Sequence, residues 1–256
     1  MSSGNRNENK VFEASKESKG KALQFRLFAG LGWLIAIGLQ IYAILYLLTD
    51  PINMGLLIGV IVGILILALL GSFLWKKANR LDPASEKQKV KFFVQNQLGA
   101  IMAVLAFLPL VIFIFTNKDM DGKQKGIVGG IAIVALLIAG IAGVDFDPPS
   151  IEKYTEQINQ QTDVVRKLNL DTDNVYWAQH GNRYHIFQDC QHIRDREGVA
   201  NGTVEESWDA KGISELCRTC QSRAMRERNI SESDLESLME GTTEDLMEEA
   251  AEELME

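Results

Sequence analysis

Apolar and polar positions divide this chain unevenly. Residues 27–48, 54–75, 98–115 and 126–144 form four apolar runs, and no Lys, Arg, Asp or Glu interrupts any of them. A helix needs roughly 20 such residues to cross about 30 Å of hydrocarbon. Within lipid, a helix satisfies every backbone donor and acceptor inside its own segment. The runs therefore predict four transmembrane helices. Buried core helices of a water-soluble protein fit poorly, because none of the runs is broken by charge. The first run follows a long polar segment and has no A-x-A-like exit, so it does not read as a cleavable signal peptide.

Beyond residue 144 the pattern changes. Asp145-Phe146-Asp147-Pro148-Pro149 stops the fourth helix, since proline cannot continue the hydrogen-bond ladder. Ile151, Tyr154, Ile158, Val165 and Leu168 then recur at helical spacing, although Gln161 and Thr162 stand where another apolar residue is expected. This reads as a stalk helix packed on a soluble domain, with a short dimerising coil as the alternative. Residues 175–178 and 183–187 are rich in β-branched and aromatic side chains and flank Gly181-Asn182, a hairpin signal. Thr203 followed by Glu206 is a capping-box pattern, and Gly212 lies where the ensuing short helix should stop. Val204, Trp208 and Ala210 of that helix are expected to face a core. A polar helical segment follows Cys217-Arg218-Thr219-Cys220 and runs to about Arg228.

The chain thus reads as an α-helical membrane protein with four transmembrane helices and a small cytoplasmic α+β domain. Its parts are a polar leader (1–26), the membrane domain (27–144), a connector helix (145–170), the α+β domain (171–228) and an acidic amphipathic tail (229–256).

Charge orients these parts. Arg6, Lys10, Lys16, Lys19, Lys21 and Arg26 precede the first run, and Lys76, Lys77, Arg80, Lys87, Lys89 and Lys91 lie between the second and third. Residues 49–53 hold no basic residue, and in residues 117–125 three lysines face Asp119 and Asp121. Because positive charge resists translocation, both termini are expected in the cytoplasm, with the plasma membrane of a bacterium as the expected location. The net charge of -8 comes from the tail, whose eleven acidic residues meet no Lys or Arg and leave the remainder mildly positive.

The apolar runs contain no ionisable group, which argues against a proton or ion relay within them. Gln40 is read as an interhelical hydrogen-bonding residue, Pro109 as a mild kink and residues 95–97 as an interfacial helix start. Gly55, Gly59 and Gly63 form a small-residue stripe in the second run, and Ala135, Ala139 and Gly143 another in the fourth. Such stripes serve close packing within a bundle or self-association. Asp119-Met120-Asp121-Gly122 begins like a calcium loop but lacks the later ligands, and reads as a turn.

Candidate chemistry is confined to one window. All three histidines and all three cysteines lie between His180 and Cys220, in the order His180, His185, Cys190, His192, Cys217, Cys220. Thiolates and imidazoles are the preferred ligands of zinc, and four of them complete a tetrahedron. In a reducing cytoplasm a C-x-x-C pair signals metal or transient redox chemistry more often than a structural disulfide. His180, beside the hairpin turn, reads as an exposed turn residue.

Val175-Tyr176-Trp177 to Gly181, Tyr184-His185, Cys190, the Thr203-Val204-Glu205-Glu206 helix start, Gly212 and Cys217-x-x-Cys220 together resemble a small zinc-binding module appended to diverse bacterial proteins, some nucleases among them. The segment, about residues 174–223, also looks distantly like the metal-binding domain of the Ada methylphosphotriester repair protein. The resemblance implies a Zn2+ site with His185, Cys190, Cys217 and Cys220 as ligands, and His192 as the alternative to His185. The Ada-type site uses four cysteines and this chain has three, so the repair reaction is not carried over.

A filled four-ligand zinc site is structural, because catalytic zinc keeps a position for water. No general base can be assigned, and hydrolysis would require that His185 not be a ligand, so catalysis is the less favoured reading and is left open. Acidic residues alternate with Arg183, Arg194, Arg196, Arg218, Arg223, Arg226 and Arg228, which argues against a nucleic-acid footprint. The expected partners are the lipid bilayer and a protein, either a second copy met through the glycine-stripe helices or a basic surface met by the tail. The expected function is a membrane protein presenting a zinc-stabilised interaction or regulatory domain. The alternatives are a membrane-tethered thiol-redox or metal-dependent enzyme, and a channel or transporter subunit with a cytoplasmic gating domain.

Overall fold

A computed structural model describes residues 11–236. The chain divides into two compact units, Lys16–Ser150 and a second made of Met1–Ser15 with Ile151–Glu256.

Four helices long and apolar enough to cross a membrane build the first unit: α1 (Lys16–Tyr42, continued by a π-helical turn over Ala43–Leu47), α2 (Met54–Leu81), α3 (Lys89–Thr116) and α4 (Gly122–Gly143). Three begin earlier than the apolar runs, α4 among them at Gly122. Residues 16–26 are already helical, and α3 starts at Lys89, which puts residues 95–97 inside the helix rather than at its entrance. Hydropathy marks where a helix enters hydrocarbon, whereas backbone hydrogen bonding continues into the polar flank. Asp119 to Gly122, read as a turn, ends as a helix cap: Asp121 accepts a hydrogen bond from the Gln124 amide at 2.7 Å, and the Gln124 side chain accepts one from the Asp121 amide at 3.0 Å.

Large side chains such as Leu57, Ile61, Phe107 and Leu110 share the interior of this unit with many alanines. Alanines 29, 36, 103, 106, 132, 135 and 139 are buried, while Leu34, Leu70 and Ile141 are 68%, 55% and 65% exposed. Small residues inside let backbones approach, and large apolar side chains outside suit acyl chains. Backbones come close between α3 and α4, where a Cβ on Gly143 would stand 2.5 Å from the Ala100 amide nitrogen. By contrast, a Cβ on Gly59 or Gly63 would meet nothing within 4 Å. The stripe of α4 is thus used within the bundle and the outer part of the α2 stripe is open.

Buried polar groups gather where α2 and α3 meet. The Gln95 carbonyl accepts from Trp75 Nε1 at 2.7 Å and from Asn79 Nδ2 at 2.8 Å. Gln40 is also buried, but its Nε2 has no partner among the described residues, so the interhelical bond expected of that nitrogen is not made. At one end, Arg26 donates to the Asp82 carboxylate at 2.7 Å and to its carbonyl at 2.9 Å, joining α1 to the end of α2.

The second unit holds α5 (Ile151–Leu168), β1 (Asn174–Ala178), β2 (Tyr184–His185), β3 (Val199–Thr203), α6 (Val204–Lys211) and α7 (Arg218–Arg228). The strands form an antiparallel sheet of order β2-β1-β3. Its hairpin pairs Tyr176 with His185 and Trp177 with Tyr184. The full-length partner of β1 is β3, paired from Asn174↔Thr203 to Ala178↔Val199. That strand gives little sequence signal, because Val199-Ala200-Asn201-Gly202-Thr203 has no apolar alternation.

The start of α6 follows its capping box, with Thr203 Oγ1 accepting from the Glu206 amide at 3.1 Å and Glu206 answering at 3.0 Å. Gly212 ends it in the left-handed region at φ 64°. Val204 and Trp208 are buried as expected, but Ala210 is exposed, and the buried small residue is Ser207, which donates to the Val204 carbonyl at 2.8 Å. Residues 11–15, read as leader, pack in this unit: Phe12 is buried with its ring 5.3 Å from that of Tyr154, and its amide donates to Thr155 Oγ1 at 2.9 Å. At the other end, Leu235 is buried in a core cluster with Leu168, Ile193 and Ala224. The rest of the acidic tail, with Leu238, Met239, Leu246, Met247, Ala250, Leu254 and Met255, lies outside the described residues.

Candidate metal centre

Alternation along β2 sends its two side chains to opposite faces. Tyr184 enters the core formed by Val165, Val175, Trp177, Val204 and Ile213, whereas His185 faces the cysteines. The C-x-x-C segment reaches β2 through backbone bonds: the Tyr184 amide donates to the Glu215 carbonyl at 3.0 Å, and the Cys217 amide donates to the Tyr184 carbonyl at 2.9 Å. Cys217 ends that connection and caps α7, so Cys220 falls in the first turn of the helix. Cys190 comes from the turns after β2, where its carbonyl accepts from the amides of Ile193 and Arg194, each at 2.9 Å.

These elements gather His185, Cys190, Cys217 and Cys220, all buried, with one ligand atom of each within 4.8 Å of the others. Cys220 Sγ lies 3.6 Å from His185 Nδ1, and all three thiols are free. Zinc bonds of about 2.3 Å to sulfur and about 2.0–2.1 Å to nitrogen would span ligand pairs of roughly 3.5–3.8 Å in a tetrahedron. One imidazole and three thiols at this separation could hold a metal ion.

The surroundings set the ligands' protonation. Burial first, then the charges of His192 and Arg196, hold the His185 imidazole down at about 4, so it is neutral at pH 7 with a lone pair available. Burial pushes the Cys220 thiol up to about 12, while backbone hydrogen bonds at Phe187 and Ile186 favour its thiolate. A divalent cation supplies the compensating charge that the buried sulfur lacks.

The remaining histidines stand outside this group. His180 is exposed in the turn after β1. His192 is exposed, its ring centroid 6.3 Å from that of His185, with its Nε2 3.2 Å from Thr219 Oγ1. The sequence did not disclose the role of Gln161, which accepts a hydrogen bond from the buried Tyr184 hydroxyl at 3.0 Å. Its position in an apolar stripe was the available signal. No protein-family model, curated protein or solved structure matches the chain.

Proposed function

We propose that this is an integral membrane protein of a bacterial plasma membrane, with both termini cytoplasmic, that presents a zinc-stabilised α+β domain as an interaction or regulatory module. The observation that carries this reading is the closed His185, Cys190, Cys217 and Cys220 group. Four protein ligands fill a tetrahedron and leave no position for the water that catalytic zinc requires. Zinc is favoured over other cations by the soft, mixed nitrogen and sulfur donors. Its contribution is to folding, since the sheet and its two short helices enclose a small apolar core.

Topology rests on two supports. Lysine and arginine are concentrated in the flanks assigned to the cytoplasm. The contact of Phe12, before the first span, with Tyr154, after the fourth, is what an even number of spans requires. The partners are the bilayer and a protein, either a second copy meeting the open glycine face of α2 or a basic surface engaged by the acidic tail.

Metal analysis of the full-length protein in detergent tests the reading. One zinc per chain is expected, lost in Cys190→Ser and His185→Ala and kept in His192→Ala. A metal-free Cys217–Cys220 disulfide that forms reversibly would replace it with the thiol-redox alternative, and ion flux after reconstitution with the channel alternative.

A further inference from the structure

Beside the metal centre, Arg183, Arg196, Arg218, His192, Asn182 and Thr219 line one cleft of about 290 Å³, with His185 and Cys217 in its wall. Among the described residues, no carboxylate lines it. Three of the acids that alternate with these arginines in sequence are engaged in ion pairs. Asp195 pairs with Arg194 at 2.9 Å, Asp189 with Arg223 at 2.8 Å, and Glu215 with Arg183 at 3.2 Å. Arg196 and Arg218 have no ion-pair partner among the described residues. Folding therefore leaves two guanidinium groups in this cleft, those of Arg196 and Arg218, without a carboxylate partner among the described residues.

A second feature of the same cleft points the same way. Cys217, Arg218 and Thr219 are the N-cap and first residues of α7, an eleven-residue helix whose cap makes no side-chain hydrogen bond. The first amides of a helix have no partner within it and carry the positive end of its dipole. His192 Nε2 lies 3.2 Å from Thr219 Oγ1, which gathers a ring nitrogen and a hydroxyl at that end. Guanidinium forks, an imidazole, a hydroxyl and helix amides are the groups that hold a tetrahedral oxyanion.

We infer that this cleft binds an oxyanion, namely a phosphate group carried by a small soluble molecule or by a lipid headgroup. Its volume lies at the lower end of the roughly 300–1,000 Å³ usual for small-molecule pockets, which suits a phosphate with a small substituent. The site needs the fold around the C-x-x-C knuckle but not a particular metal, and it supplies the ligand that a regulatory domain would sense.

The test is calorimetric titration of inorganic phosphate into the full-length protein in neutral detergent, with metal content measured on every variant. One saturable site per chain is expected. Arg196→Gln and Arg218→Gln should each weaken it about tenfold or more, as loss of a charge-assisted hydrogen bond does. Arg194→Gln, paired with Asp195 and outside the cleft, should leave it unchanged. If Arg218→Gln loses its metal, Arg218→Lys keeps the charge without the fork and should bind with intermediate affinity. Repeating the titration in phosphatidylglycerol and phosphatidylcholine nanodiscs separates the sources. Weaker phosphate binding in phosphatidylglycerol alone assigns a lipid headgroup, equal binding assigns a soluble phosphate, and either upholds the site. Absence of saturation up to about 10 mM phosphate, or equal weakening by Arg194→Gln, overturns it. Loss of the zinc reading with phosphate binding intact would leave this site standing.

Discussion

Tyr184 donates its hydroxyl hydrogen bond to Gln161 across 3.0 Å, joining β2 to α5 through a polar pair. Burial pushes the phenol above its ordinary ionisation range, so it remains a donor through neutral and mildly basic pH.

Gln161→Leu should lower the stability of the full-length protein by about 1–3 kcal/mol, because it leaves a buried hydroxyl without an acceptor. Adding Tyr184→Phe should recover much of that loss, since removing both partners is nearly neutral. Urea unfolding of the four forms, followed by tryptophan fluorescence, gives the coupling. Additive effects would show that the bond contributes nothing to stability.

Metal binding should release protons. In the metal-free cluster the Cys220 thiol is held up to about 12, whereas zinc ligands are thiolates, so loading at pH 7 expels the Cys220 proton along with those of any other ligand thiol still protonated. Apparent zinc affinity should therefore rise with pH between 6 and 8, and titrations in buffers of different ionisation enthalpy should report net proton release. An affinity independent of pH would contradict this ligand set.

Stability of the metal-stripped protein should fall on both sides of neutrality. His185 is held at about 4 against an ordinary 6.5, so the unfolded chain takes up a proton that the folded chain refuses. This group's contribution is complete above pH 6.5 and is lost as pH falls towards 4. The Cys220 thiol is shifted the other way, from 9.0 to about 12, so the unfolded chain releases its proton first and stability is lost as pH rises through that window. Thermal melts with chelator across pH 4–10 should peak near neutrality, and His185→Asn should flatten the acid limb.

Two kinds of glycine in the membrane unit should separate. Gly143→Ala places a methyl against the α3 backbone, where a Cβ would come within 2.5 Å, and should destabilise the bundle by about 1–3 kcal/mol. Gly59→Ala and Gly63→Ala meet no neighbour within the unit and should not lower its melting temperature. If a second copy uses that face, the same changes should weaken self-association in a crosslinking or energy-transfer assay. A melting temperature lowered as far by Gly59→Ala as by Gly143→Ala would refute the contrast.

Much of this molecule is legible in local pattern. The four long apolar helices follow from run length, because lipid requires each segment to satisfy its own backbone. The start and stop of α6 follow from Thr203, Glu206 and Gly212, because a cap acts over three or four residues. The clustering of cysteine and histidine also marks the window where metal chemistry could reside.

What adjacency in sequence does not contain was decided by the tertiary structure. Strand β3 pairs along all of β1 although its own residues do not alternate, because sheet pairing depends on the edge that β1 offers. His185 rather than His192 joins the three cysteines, because backbone bonds between Tyr184 and the Glu215–Cys217 segment carry the C-x-x-C pair to β2. Of the arginines that alternate with acids along the chain, Arg183, Arg194 and Arg223 find carboxylate partners, while Arg196 and Arg218 meet in one cleft that no carboxylate lines among the described residues. Patterns set by a residue's immediate neighbours were readable in advance. Those created by long-range closure, including the shape of both candidate sites, existed only once the chain had folded.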